Sequence, residues 1–196
     1  LQPLLKNTDL IFKMTSKFTI FIYGGSQGSI KINKFFERLL NKLNDFNLKK
    51  FFFVIQAPSI YFDELILNIK KYQIEYELRD FYFDLQPLLK NTDLIISRSG
   101  AGTINDIISN KIPSIQIPLP SAKDNHQYEN AKFLVEKKCA ILINQDNIDI
   151  EKAYNFIIKI YEDEKLKRNI KNKLNQETIL DTNRIMLDSI KYEIHK

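Results

Sequence analysis

Apolar positions along this chain follow two alternating periods. Phe18–Tyr23 (FTIFIY), Phe51–Gln56 (FFFVIQ) and residues 94–96 (LII) are β-branched and aromatic runs free of charge, as strands buried on both faces require. Shorter strands are expected at 74–78, 114–117 and 140–143, the 114–117 run bracketed by Pro113 and Pro118. Between these runs the spacing changes to three and four. Residues 30–44 carry Ile32, Phe35, Phe36, Leu39, Leu40 and Leu43 on one stripe, which predicts an amphipathic helix. Helices are likewise expected at 61–72, from Thr103 onward (Ile104, Ile107 and Ile108 on one face), and at 124–137, 148–162 and 163–176, followed by a helical tail to Lys196. A helical turn is expected at 85–90. Strands alternating with helices imply an α/β fold, a Rossmann-like parallel sheet with helices on both faces.

Two of the predicted strand-to-helix turns are rich in glycine: Gly24-Gly25-Ser26-Gln27-Gly28-Ser29 and Ser99-Gly100-Ala101-Gly102. A turn of this kind leaves backbone N–H groups free at a helix N-terminus, beside the positive end of the helix dipole. Such a place suits an anion, phosphate above all. Asp106 then falls about one turn into the second helix, where it can accept from a ligand hydroxyl. The same residues also fit a plain connecting turn with a charge near a helix start. The first turn lacks the Gly-Lys-Ser/Thr of a P-loop and the GxGxxG of a dinucleotide site, and no acidic residue ends the Phe51–Gln56 run. A dinucleotide oxidoreductase is therefore disfavoured, whereas two such turns over one crevice suit a diphosphate.

A third stretch, Asp124-Asn125-His126-Gln127-Tyr128-Glu129-Asn130-Ala131, follows IPLPSA. Its amides and acids can cap a helix or read sugar hydroxyls. His126 has no second histidine near it in sequence, since His195 lies in the tail, so zinc is not expected. No Asp-x-Asp occurs, so the usual carboxylate device for a metal–nucleotide diphosphate is missing.

Composition adds bounds. The chain has 196 residues, 44% hydrophobic and 27% charged, enough for one full core and a short appendage. Its net charge of +5 comes from scattered Lys and Arg, with no nucleic-acid-binding signature. The single cysteine, Cys139, sits in an apolar run and reads as a core residue. No apolar run is long enough to span a bilayer, and the start lacks the features of a signal peptide. LQPLLKNTDLI occurs identically at 1–11 and 85–95. The second copy leads into a strand; the first reads as a local duplication or a misjoined frame. The expected organisation is a poorly packed leader over 1–17, a binding domain over 18–175 and a helical tail over 176–196.

GGSQGS with Asn33 behind it, SRSGAGT with Asp106, and PLPSAKDNHQYENA stand in an order and spacing that resemble the C-terminal half of the MurG family, glycosyltransferase family 28. Each motif alone is weak, and three in register are specific. The resemblance runs from about Phe18 to the C-terminus. It implies a GT-B C-terminal domain that holds UDP-N-acetylglucosamine as donor substrate, with no cofactor and no metal. Carried over by motif, Ser26, with Gln27 beside it, contacts the nucleotide-diphosphate region. Ala101, Gly102, Thr103, Ile104, Asn105 and Asp106 hold the diphosphate by backbone N–H groups, with the Asp106 carboxylate on the ribose. Gln127 and His126 read the sugar hydroxyls, and Tyr82 lies beside the uracil. There are departures: Asp106 stands where the family more often has Glu, Ile55-Gln56-Ala57-Pro58 replaces its His-Gln-x-Gly, and Tyr82 replaces a smaller aliphatic residue.

The implied reaction is an inverting transfer of GlcNAc to lipid-linked MurNAc-pentapeptide in peptidoglycan synthesis, on the cytoplasmic side of the bacterial membrane, with the protein peripheral to it. The family's N-terminal half, with its acceptor site and base, has no counterpart in these residues, so the chain is expected to bind donor without turning over alone. Two other readings stay open. One is the soluble subunit of a two-chain UDP-GlcNAc transferase of the eukaryotic type. The other is a folded remnant without catalysis.

Overall fold

A computed structural model describes residues 17–25, 28–122 and 125–176. The duplicated leader, Ser26, Gln27, Asp124 and the tail with His195 lie outside the described residues. Six strands, β1 (Phe18–Tyr23), β2 (Phe51–Gln56), β3 (Glu75–Arg79), β4 (Leu94–Ser97), β5 (Ser114–Gln116) and β6 (Ala140–Leu142), form one sheet. Its order is β3-β2-β1-β4-β5-β6, and every neighbouring pair is parallel. The helices are α1 (Ile30–Leu43), α2 (Phe62–Lys70), α3 (Gln86–Leu89), α4 (Ala101–Asn110), α5 (His126–Glu136), α6 (Ile150–Glu162) and α7 (Glu164–Gln176).

The expected alternation is present, with shifts at element ends. The helix expected at 61–72 is a 3-10 turn at Ser59–Tyr61 followed by the shorter α2, because Pro58 sets the entry and Gln73 takes a positive φ at the exit. A second 3-10 turn, Leu48–Lys50, was not evident from spacing. The helix expected from Thr103 begins two residues earlier, at Ala101, because Gly100 is already extended and serves as its N-cap.

β1, β2 and β4 are buried almost throughout, which explains their lack of alternation, while the edge strand β3 is half-exposed. Chain direction reverses at the centre of the sheet: β1, β2 and β3 progress one way, and β4, β5 and β6 the other. Right-handed crossovers then put α1 and α2 on one face and α4 and α5 on the other. α1 buries Ile32, Phe35, Phe36, Leu39, Leu40 and Leu43, the predicted stripe. Cys139 is buried, as expected. Open α/β sheets bind ligands in the crevice beyond the carboxyl ends of the strands at such a point of reversal, here the ends of β1 and β4. Both Gly-rich turns flank it.

Candidate functional site

The turn after β1 is tight. A Cβ on Gly24 would stand 2.2 Å from the Ser29 nitrogen and 2.6 Å from the Gly28 carbonyl carbon, so only glycine fits there. The Gly28 N–H donates to the Gly25 carbonyl at 2.9 Å, closing the turn. Asn33, fully buried in α1, donates its side-chain amide to the Gln56 carbonyl at 3.0 Å and so ties α1 to the end of β2. The turn after β4 is latched instead to α5. The Ser99 hydroxyl donates to the Gln127 carbonyl at 2.8 Å, and the Asn130 amide donates to the Ser99 carbonyl at 3.0 Å. Gly100 and Gly102 face open space, where a ligand can approach the backbone closely.

The helices that start at these turns share an unusual end. The Ser29 side chain does not cap α1, Gly100 has no side chain to cap α4, and neither first turn holds an acid. By contrast, α2, α5, α6 and α7 each carry Asp or Glu in the first turn. The N–H groups of Ile30, Lys31 and Ile32 in α1, and of Ala101, Gly102 and Thr103 in α4, therefore lack both intrahelical acceptors and local neutralisation. Two positive helix ends over one crevice suit an anion.

Ser29 is diverted from capping by Arg98. This arginine, 8% exposed, donates from Nη1 to the carbonyls of Ile117 (2.9 Å) and Pro118 (3.2 Å), and from Nη2 to the Ser29 hydroxyl (3.2 Å) and the Gln145 side-chain oxygen. It pins the loops after β1, β5 and β6 around its own position after β4. No carboxylate is among these acceptors, and burial pulls its pKa below the ordinary arginine value. A buried cation with no carboxylate partner among the described residues thus adds to the positive potential of the two helix ends.

Asp106, one turn into α4, is half-buried, and burial raises its pKa. Tyr23, paired in register with Ser97, ends β1 at the crevice floor. Burial, and secondarily the Asp106 carboxylate, raises the pKa of its hydroxyl. The Gln127 side-chain oxygen accepts from the Leu119 N–H at 3.0 Å, which fixes the orientation of that amide and leaves its NH2 to donate.

The family model described as the glycosyltransferase family 28 C-terminal domain matches residues 19–183. The chain belongs to glycosyltransferase family 28. Relatives named UDP-N-acetylglucosamine–N-acetylmuramyl-(pentapeptide) pyrophosphoryl-undecaprenol N-acetylglucosamine transferase include that of Rickettsia bellii, 37% identical over 158 residues (80% of this chain, 44% of the relative). That of Rickettsia prowazekii is 35% identical over 193 residues, 94% of this chain and 49% of the relative. The chain thus spans about half the length of the curated relatives it matches. Among solved structures, Acinetobacter baumannii MurG matches with a TM-score of 0.75 at 24% identity, over 90% of this chain and 52% of that one. A Staphylococcus aureus MnaA structure with UDP matches with a TM-score of 0.69 at 16% identity, over 97% of this chain and 48% of that one. These likenesses bear out the GT-B C-terminal fold.

The family 28 domain places the sequence-predicted residues unequally. Ala101, Gly102, Thr103 and Asp106 stand together at the crevice. The Ile104 N–H, in contrast, already donates to the Gly100 carbonyl at 3.0 Å, and Asn105 and Asp106 lie deeper in the helix, so the free amides end at Thr103. This narrows the amide set expected over 101–106. His126 is exposed at the start of α5, while Gln127 is held by the loop after β5. Tyr82 differs most from expectation. It is 7% exposed, its ring edge-on to Phe21 at 5.8 Å and under the Arg79 guanidinium at 5.6 Å. Burial and the nearby Glu77 charge hold its hydroxyl protonated well above the ordinary range. Tyr82 is a core residue that supports the crevice; its neighbours Phe81 and Phe83 are the exposed rings of that loop. Sequence spacing missed Arg98 and Tyr23. A charge among Ser and Gly, and a tyrosine ending a strand, give no signal of their own.

Among the described residues no group of three or more His, Cys, Asp or Glu could hold a metal ion, and no helix is long and apolar enough to cross a membrane.

Proposed function

We propose that this chain is the UDP-N-acetylglucosamine-binding half of an inverting glycosyltransferase that adds GlcNAc to lipid-linked MurNAc-pentapeptide, at the inner face of the bacterial membrane. The observation that carries the reading is the pair of uncapped, acid-free helix ends of α1 and α4 meeting at the switch point of a family 28 domain. The Ala101–Thr103 amides, with the turn after β1, take the diphosphate. Asp106 accepts from the ribose, and the Gln127 NH2 donates to the sugar. Ser26 and Gln27 would complete the first turn, with His126 beside Gln127.

In the reaction an acceptor hydroxyl attacks the anomeric carbon, the bond from that carbon to the UDP oxygen breaks, and UDP leaves with the electron pair. Negative charge grows on the departing diphosphate, where the helix ends and the Arg98 charge already point their positive potential. The proton lost by the acceptor goes to a base that we assign to no residue of this chain.

Calorimetric titration with UDP and UDP-GlcNAc tests the reading. Saturable binding of both is expected, weakened about tenfold or more by Asp106→Ala, since hydrogen bonds to a charged group contribute about 1.5–3 kcal/mol. A folded chain that binds neither ligand overturns it.

A further inference from the structure

Tyr23 and Asp106 make a pair that the fold leaves unused. Tyr23 is the last residue of β1 and pairs with Ser97, the last residue of β4, so it stands at the floor of the crevice where the sheet reverses. Its ring is stacked on Phe21 (centroids 5.2 Å apart, planes at 27°), and Phe21 in turn meets Tyr82 edge-on. This row of three rings sets the position of the Tyr23 side chain. Asp106 faces the same crevice from α4, half-buried, and neither it nor the Tyr23 hydroxyl has a hydrogen-bonded side-chain partner among the described residues. Burial first, and the Asp106 charge second, raise the pKa of the Tyr23 hydroxyl, and no hydrogen bond joins the two among the described residues. The end of β1 and the helix that follows β4 thus bring a half-buried donor and a half-buried acceptor to the point where the sheet reverses.

We infer that Tyr23 is a specificity-determining residue whose hydroxyl acts with the Asp106 carboxylate on the vicinal diol of the nucleoside ribose. Asp106 accepts from one ribose hydroxyl, and Tyr23 donates to the oxygen of the other. The pair selects ribonucleotides over deoxyribonucleotides, a task that the amides around the diphosphate cannot perform. The inference rests on the donor-site reading given above.

The test titrates the full chain and its Tyr23→Phe variant with UDP, 2′-deoxy-UDP and 3′-deoxy-UDP. Phenylalanine keeps the ring stack, so the variant keeps the floor of the crevice. The wild type should bind both deoxy ligands more weakly than UDP. Tyr23→Phe should weaken UDP binding about fivefold to tenfold, the usual worth of one neutral hydrogen bond. The same substitution should leave one deoxy ligand unaffected, the one lacking the oxygen that Tyr23 meets. Equal losses for all three ligands, or no loss for UDP, overturn the Tyr23 role while leaving donor binding intact. Failure of the wild type to bind UDP at all overturns the donor-site reading and this inference with it.

Discussion

The starts of α1 and α4 and the starts of α6 and α7 are built on opposite plans. Asp149 caps α6 by accepting from the Lys152 N–H at 2.8 Å, and Asp163 accepts from the Leu166 N–H at the head of α7, also at 2.8 Å. Glu151 and Glu164 add negative charge to those first turns. α1 and α4 have neither device. A missing cap costs a helix about 1 kcal/mol. The six apolar side chains that α1 buries, at about 1.5–3 kcal/mol each, outweigh that cost severalfold. The uncapped ends are therefore affordable to the fold, and they lie together beside the crevice. α6 and α7 satisfy their own ends with an aspartate cap, and α1 and α4 do not.

Substitutions can break or sharpen this contrast. The largest effect is expected from Gly24→Ala. Its Cβ would overlap backbone atoms of the turn after β1, so the variant should lose at least about 3 kcal/mol in urea unfolding, with UDP binding abolished. Arg98→Met should follow, at about 2–3 kcal/mol, because two buried carbonyls and the Ser29 hydroxyl lose a charged donor. Arg98→Met should also weaken UDP more than uridine, the ligand without phosphate, when the two are titrated side by side. Gly100→Asp should separate stability from binding. Gly100 has an extended φ of −64° and open space for a side chain, so aspartate there can cap α4. Thermal unfolding should show a gain of about 1 kcal/mol, and calorimetry about a tenfold loss of UDP affinity, as the new carboxylate takes the ligand's place. The smallest effect is expected from Asp149→Ala, which should cost α6 about 1 kcal/mol and leave UDP binding unchanged.

Asp106 adds a pH dependence. Burial raises its folded pKa above the unfolded value. Its contribution is thus neutral while both states are protonated, and it becomes destabilising as pH rises from the ordinary aspartate range through the folded pKa. Asp106→Asn should remove that decline from a stability-against-pH profile while weakening UDP.

Much of the fold was legible in the sequence because it rests on local pattern. β1, β2 and β4 lack charge, the α1 stripe has helical spacing, and the two glycine turns mark where chain direction reverses. The glycine-rich turns that lead into α1 and α4 were legible for the same reason, although the first residue of α4 was not. What escaped depends on contacts between distant segments. Arg98 looks like a solvated loop charge until acceptors from three other loops converge on it. Three aromatics alternate in Phe81-Tyr82-Phe83, and nothing local says which turns inward. Phe21, on β1, decides for Tyr82, which leaves Phe83 99% exposed. The amide set that the resemblance implied over 101–106 stops at Thr103, because the helix begins at Ala101 and the Ile104 N–H is already paired within it.

Amide chemical shifts of the labelled chain during UDP titration test the central claim most directly. The account predicts that Ala101, Gly102 and Thr103, together with Ile30, Lys31 and Ile32, move in a saturable manner, while the capped first turn of α6 stays still. Shifts confined to other elements, with the starts of α1 and α4 unmoved, would contradict it.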